Sequence, residues 1–404
     1  MSKGYGNIPS ALFEYITFIV RALPIRSVPT FIELLVGAML TQTGFVTDAW
    51  LAIAPHRTWT AYYKWLQEGK QFALGQCWVT MALSISSGMR HFAVPLLSRL
   101  MRAKGNSTKL DAVKTLLRVI APVFVGQEVI ILVDSWYMKW PLLKNILGHG
   151  FNAIGQVRSD TALYGIPALI SGKRGRPRKY GDKYDSEAIA AIPEYREWVY
   201  LYGEWQWLRY RSALCLARFM VGRKVRAVWM QFEDKNGKLS KQRLILSTKC
   251  DITAQQIFAY YGRRWSIEDL FNQMKNKWGW RETWQQSRQV LHRWTQILSI
   301  SYALPQLLAT YCADQVMDLV NLTPWRVKNP ITAGRVRLGL RNILSNVGIR
   351  GWWNPKYQKF YPPIEPEDKR NEHYVSKNRL YMLSKNNFME NNHTHLRNGL
   401  VVKL

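Results

Sequence analysis

The densest group of chemically useful side chains lies in Tyr260–Trp280, YYGRRWSIEDLFNQMKNKWGW. Within it Tyr261, Arg264, Glu268 and Lys275 are separated by two, three and six residues. On one α-helix, at about 100° per residue, all four would share a stripe roughly 60° wide. Ile267, Leu270, Phe271, Met274 and Trp278 form a second, apolar stripe, as expected of a helix with one face in the core. A phenol, a guanidinium, a carboxylate and an ammonium would then line the edge where core meets cleft. Arg264 suits a bidentate phosphate contact and Lys275 a point-charge contact.

Two plainer arrangements compete. The charges could form a solvated face with an Arg264–Glu268 pair, worth only about 0.2–0.5 kcal/mol. Alternatively the helix restarts near Ile267, because Gly262 weakens it and Ser266 with Asp269 resembles a capping box. Tyr261 and Arg264 would then sit on the preceding turn, leaving only Glu268 and Lys275 on the stripe.

The spacing Tyr-two-Arg-three-Glu-six-Lys, with Trp265 after the arginine and Ile267-Glu268-Asp269 following, closely resembles the Tyr-Arg-Glu-Lys signature of bacterial insertion-sequence transposases. These are DDE-class enzymes of the cut-and-paste type. The resemblance implies that Glu268 is the third metal-binding carboxylate and that Tyr261, Arg264 and Lys275 handle DNA phosphates. It also makes Trp265 a candidate to stack on a base. An α/β fold follows: an RNase H-like catalytic core with a β-strand insertion, preceded by an all-helical N-terminal region. Two upstream aspartates on strands are then required.

The chain offers them. Glu128–Val133 (EVIILV) is a short β-branched run with the length of a buried strand, and Asp134 follows it. Phe151–Val157 reads as a second strand and Asp160 follows that one, 26 positions after Asp134. Each aspartate alone equally suits a turn or a helix N-cap, as in Ser159-Asp160-Thr161. Together the resemblance assigns Asp134, Asp160 and Glu268 as the catalytic triad. Two Mg²⁺ ions, with Mn²⁺ as a substitute, would activate the nucleophile and take up charge on the leaving oxygen. Carboxylates are the donors that hard Mg²⁺ prefers.

Charge agrees with an anionic substrate. The 404 residues carry 56 Lys+Arg against 27 Asp+Glu, a net charge of +29, with a pI near 10.1. So basic a chain points to a polyanionic partner, nucleic acid first. The basic residues are spread along the sequence rather than gathered beside one apolar segment, which disfavours a membrane surface. Phe31–Leu40 is too short to span a bilayer and contains Glu33. The N-terminus lacks the charged-then-apolar order of a secretory signal. Cys77, Cys215, Cys250 and Cys312 are far apart, excluding a CxxC zinc motif and suggesting reduced thiols. A bacterial cytoplasmic, nucleoid-associated protein is expected.

The rest of the chain must position these groups. Residues 9–118 read as helical, with apolar spacing in Ala11–Leu23, Phe31–Leu40, Ala61–Leu66, Phe92–Met101 and Leu110–Ile120. Phe31–Ile53, broken at Thr43-Gly44, suits either a DNA-docking helix-turn-helix or a plain bundle. Ser171–Asp185 is a polar loop. Its Arg174-Gly175-Arg176-Pro177-Arg178 resembles an AT-hook, or serves as an unspecific phosphate contact. From Trp198 to Thr248 the pattern is strand-like: Trp205, Trp207 and Arg209 alternate, and Lys235-Asn236-Gly237-Lys238 marks a hairpin. Trp205 and Trp207 are further stacking candidates. Val290–Ala309 reads as a long helix and Thr332–Asn346 as a basic one with Arg335, Arg337 and Arg341.

The expected organisation is a helical DNA-binding region over 1–122 and a catalytic domain over 123–310 with its β insertion at about 195–250. A C-terminal helical or extended region over 311–404 would make dimer or DNA contacts. The expected activity is cleavage at transposon ends and strand transfer by a synaptic homodimer on double-stranded DNA. The alternatives are a DDE nuclease without strand transfer, or a non-catalytic nucleic-acid-binding protein.

Overall fold

The computed structural model describes residues 8–66, 77–88, 90–101, 108–168, 178–283, 287–320, 330–345, 347–363 and 400–403. The chain divides into two compact units. The first comprises Met1–Gln76, Val94–Leu100 and Leu270–His395, the second Cys77–Ala93, Met101–Asp269 and Leu396–Leu404.

The first unit is helical. It begins with α1 (Ser10–Val20), α2 (Val28–Leu40), α3 (Val46–Leu51) and α4 (Trp59–Leu66). Twelve of the thirteen residues of α2 are buried, Glu33 among them. Its carboxylate accepts from the Tyr62 hydroxyl at 2.7 Å and the His56 amide at 3.0 Å, with Arg350 3.7 Å away. Those partners offset the cost of desolvating a charge. Helices α2 and α3 pack on each other across the loop between Leu40 and Val46, but α3 is six residues long and carries no basic side chain.

The second unit is built on a sheet. It begins with β1 (Trp78–Ser87), and β2 (Arg90–Leu100) follows through a turn at Gly88, its residues from Val94 onward being counted with the first unit. The helical expectation for Phe92–Met101 is therefore corrected, and the region before residue 122 is not all helical. Apolar residues at 93, 94, 97 and 100 fit a helical period as well as a half-buried strand. Pro95 inside the run is the signal against a helix.

Next come α5 (Lys109–Ile120), β3 (Val129–Val133), α6 (Trp140–Gly148), β4 (Asn152–Val157), β5 (Leu163–Tyr164) and α7 (Ser186–Ala190). The insertion supplies β6 (Tyr195–Leu201), β7 (Glu204–Ala217), β8 (Arg223–Glu233) and β9 (Arg243–Ser247). Helices α8 (Ala254–Arg263) and α9 (Ser266–Lys277) follow, and α9 runs from the second unit into the first.

The first unit is completed by α10 (Arg288–Tyr311), α11 (Ala313–Val320), α12 (Ala333–Leu344) and the short pair β10 (Trp353–Asn354) and β11 (Lys359–Phe360). Within that unit α10 packs on α1, α2, α4, α11 and α12. The chain's last described residues form β12 (Leu400–Lys403), which belongs to the sheet.

From β1 the strand order is β1-β12-β3-β4-β9-β8-β7-β5, with β6 also on β7. β3 and β4 are parallel, β12 is parallel to β3, and β9 runs antiparallel to β4. Every residue of β3 is buried, as its unbroken apolar run requires. Ile130 and Leu132 pack with Ile154, Val228 and Ile245 under Ile257, Phe258 and Tyr261 of α8. The insertion thus extends the same sheet through β9. The strand at Leu400–Lys403 lies in a tail of weak periodicity, and four residues carry too little pattern to reveal a partner strand.

Candidate active site

Asp134 is the first residue beyond β3. Its carboxylate caps the short turn Ser135–Tyr137 by accepting from the Ser135 amide, which fixes an exposed acid at a rigid strand end. The glutamate arrives from another direction. α8 ends at Arg263 and α9 starts at Ser266, so the helix does break. Tight bonds cross the break, from the Arg264 amide to the Tyr261 carbonyl and from the Glu268 amide to the Trp265 carbonyl. Only Glu268 and Lys275 lie on α9. Of its expected apolar stripe Ile267, Leu270 and Met274 are buried, as is Trp278 just past the helix end, while Phe271 is only half-buried.

The break turns Arg264 back onto Glu268, with Nη2 3.1 Å from Oε1. Burial works against its charge, yet Tyr261, Asp134 and Glu268 outweigh that and hold the guanidinium above its usual range. One permanent cation thus feels carboxylates from a strand end and from a helix start. Its Nε is buried without a partner, so the fork has donor capacity to spare.

Tyr261 is buried in the core beneath α8, its ring 5.6 Å from the Arg264 guanidinium and its pKa raised chiefly by burial. It is placed to brace the arginine rather than to face solvent. Trp265 is 52% exposed and meets Tyr202 edge-on at 6.3 Å. Tyr202 and Gly203 make the two-residue turn between β6 and β7, both with positive φ, as such a hairpin turn demands. Tyr202 also feels Arg243, Arg264 and Glu268, so the insertion's hairpin tip lies beside these residues. Sequence reasoning passes over Tyr202. The Tyr-Gly pair between two strand-like runs is the available signal.

The other expected residues lie elsewhere. Asp160 follows β4 by three residues, and Arg158 grips it with two bonds of 2.9 and 2.7 Å. That pair lowers the Asp160 pKa through the Arg158 hydrogen bonds. No described contact joins Asp160 to Asp134 or Glu268. Lys275 is exposed, 5.8 Å from the Phe271 ring. Arg178 is exposed with Asp182 3.7 Å away, while Arg174 and Arg176 lie outside the described residues. In the insertion, Trp205 is 53% exposed and parallel to Trp198, whereas Trp207 lies beneath Arg196 at 3.8 Å. Arg337, expected on a basic helix face, is instead interior: it bonds the Lys277 and Thr41 carbonyls and covers Trp278 at 4.3 Å.

Among the described residues, no group of three or more His, Cys, Asp or Glu side chains converges as a metal site. Asp134 and Glu268 nevertheless fit a hard divalent ion in donor type, since Mg²⁺ is commonly held by one or two carboxylates, waters and substrate phosphate. Among the described residues no helix is long and apolar enough to cross a membrane. No curated protein matches the chain. Residues 85–304, more than half of the sequence and inclusive of all three candidate carboxylates, match the family model described as the transposase DDE domain. The chain therefore belongs to this family of enzymes that cut DNA and generally use divalent metal ions.

Proposed function

We propose that the protein is a cut-and-paste transposase of a bacterial insertion sequence. It hydrolyses the phosphodiester at transposon ends and then directs the freed 3′-hydroxyl onto target DNA. An RNase H-like arrangement of β3, β4 and α9, a pair of Mg²⁺ ions and a synaptic homodimer complete the proposal. The helices before residue 67 and the region after 311 would supply further DNA and partner contacts. The observation that carries the reading is the Arg264–Glu268 pair, 3.1 Å apart at the break before α9, with Asp134 held at the end of β3, inside the span that matches the transposase DDE domain.

Bound between those carboxylates, a divalent ion would lower the pKa of the attacking hydroxyl and stabilise the leaving oxygen. Asp134 is fit to hold a fixed position because its turn is capped and its strand is buried on both faces. Glu268 and Arg264 are coupled, so a phosphate entering the site would take the guanidinium from the glutamate and free that carboxylate. Arg264 would then meet the phosphate through its planar fork. Tyr261 keeps the arginine from swinging away, and Trp265 and Trp205 offer exposed indoles to unpaired bases. Asp160 serves as the third ligand in this reading, which requires its release from Arg158. An exposed ion pair of that kind is weak enough in water to exchange.

The test is a cleavage and joining assay on duplexes carrying the element's ends, with Mg²⁺ and a supercoiled target. Cleaved ends and joined products are expected from the native protein, and loss of cleavage from Glu268→Ala with DNA binding retained. Cleavage without joining would reduce the protein to a nuclease. Full cleavage by Glu268→Ala would remove the site from consideration.

A further inference from the structure

Immediately beside Asp134 the structure exposes a group that the proposed reaction does not use. Trp136, two residues on, is 44% exposed on the short turn that Asp134 caps. Lys139 lies over its ring at 4.0 Å and Lys109, at the start of α5, at 5.5 Å. Tyr137 abuts it edge-on at 5.1 Å, and Tyr137 is partly buried, so the indole is braced from one side. Met138 is buried against Gly155, which pins the turn to β4.

An exposed tryptophan needs no explanation alone, because scattered surface hydrophobes are normal. Two ammonium groups converging on one indole beside an acidic strand end are different. Aromatic face plus flanking cations is the combination that seats a base and its phosphate. A lysine resting on an exposed ring is held less strongly than a stacked base. A base could therefore displace the ammonium, which would turn to the adjoining phosphate.

We propose that Trp136, Lys139 and Lys109 form a seat for one unpaired nucleotide flanking the cut, the indole stacking on the base and the lysines meeting its phosphate. The inference rests on the DNA-cleaving reading of the Asp134–Glu268 site. It adds a substrate preference: DNA frayed or single-stranded at the cut should bind better than a closed duplex. DNA is favoured over an acidic protein because the seat pairs a flat aromatic face with cations, and the whole chain carries +29.

The test compares two oligonucleotides on the full chain: a blunt duplex, and the same duplex with a three-nucleotide unpaired flank carrying 2-aminopurine. Affinity is read by anisotropy and stacking by quenching of 2-aminopurine emission. The native protein should prefer the flanked duplex and quench the probe. In Trp136→Ala that preference should fall roughly 5- to 150-fold, the range for one base–aromatic stack, and quenching should vanish. Trp136→Phe should recover part of both. The double variant Lys109→Ala/Lys139→Ala should lose affinity mainly at low salt. A native-like preference and quench in Trp136→Ala, or no preference in the native protein, would overturn the proposal. Loss of folding would show in the melting curve, and the phenylalanine variant then decides. Absence of any DNA binding by the native protein would instead overturn the underlying reading.

Discussion

Arg264 and Arg337 are the same residue type put to opposite uses. Arg264 sits at a helix break among ionised groups, with burial opposing its charge and Tyr261, Asp134 and Glu268 keeping that charge in place. Arg337 lies 5% exposed on α12, where its neighbours are the carbonyls of Lys277 and Thr41 and the Trp278 ring. Burial, reinforced by Arg341, pushes its pKa down to about 10. Lys277 ends α9 and Thr41 follows α2, so Arg337 satisfies carbonyls that those helix ends leave open. In the proposed reading, a guanidinium paired with an exposed carboxylate can exchange it for a phosphate. One committed to carbonyls and an indole is part of the scaffold. Both occur in basic stretches of the sequence, and composition treats them alike.

The sharpest way to break this comparison is through the carboxylates that define the first arginine. Asp134→Ala and Glu268→Ala should each lower cleavage by roughly a thousandfold or more, measured as initial rates on labelled ends. Asp160→Ala should match them if the three act together. A loss within a fewfold would leave a two-carboxylate site and assign Asp160 to its Arg158 pair. Arg264→Ala should lower cleavage on the order of a hundredfold, as loss of one preorganised donor does, with little change in melting temperature.

Arg337→Met should do the reverse. Leaving two helix-end carbonyls and the Trp278 face without their buried partner costs about 1–3 kcal/mol, seen as a lower denaturation midpoint, while the folded fraction keeps its cleavage rate. Equal behaviour of the two variants would erase the distinction.

Salt sharpens it further. The logarithm of DNA affinity should fall linearly with the logarithm of salt, and Arg264→Ala should flatten the slope by roughly 0.9, the increment for one phosphate no longer neutralised. Arg337→Met should leave the slope where it is.

The smallest effect concerns protons in the helical unit. Burial, helped by Arg288 and Arg99, depresses the His292 pKa to about 4 from its ordinary 6.5. The unfolded chain then binds the proton first as pH drops. Stability should therefore be intact above about 6.5 and decline down to about 4. A His292→Gln variant should show a shallower decline in urea melts over that interval, and an unchanged decline would assign the effect to other groups.

Two aspartates show how far strand reading carries. Both follow apolar runs, and β3 and β4 are indeed adjacent and parallel, with Val133 opposite Gly155. Asp134 follows its strand directly and inherits its direction. Asp160 comes three residues later, after the chain has turned, so its side chain answers to Arg158 instead. A run of apolar residues specifies where a strand lies, but not the path of the turn after it.

From the residues alone one could obtain the strands β3 and β4, the hairpin at Asn236-Gly237, the amphipathic α9 and the charge that calls for a polyanion. Each is a local pattern, legible because side-chain periodicity and turn chemistry act over a few neighbours. Tertiary structure decided what lies far apart in sequence. It brought Tyr202 and Asp134 to the Arg264–Glu268 pair, buried Tyr261 and Arg337, and placed β12 between β1 and β3. Burial and pairing across such distances depend on which surfaces pack together, and no window of sequence contains both partners.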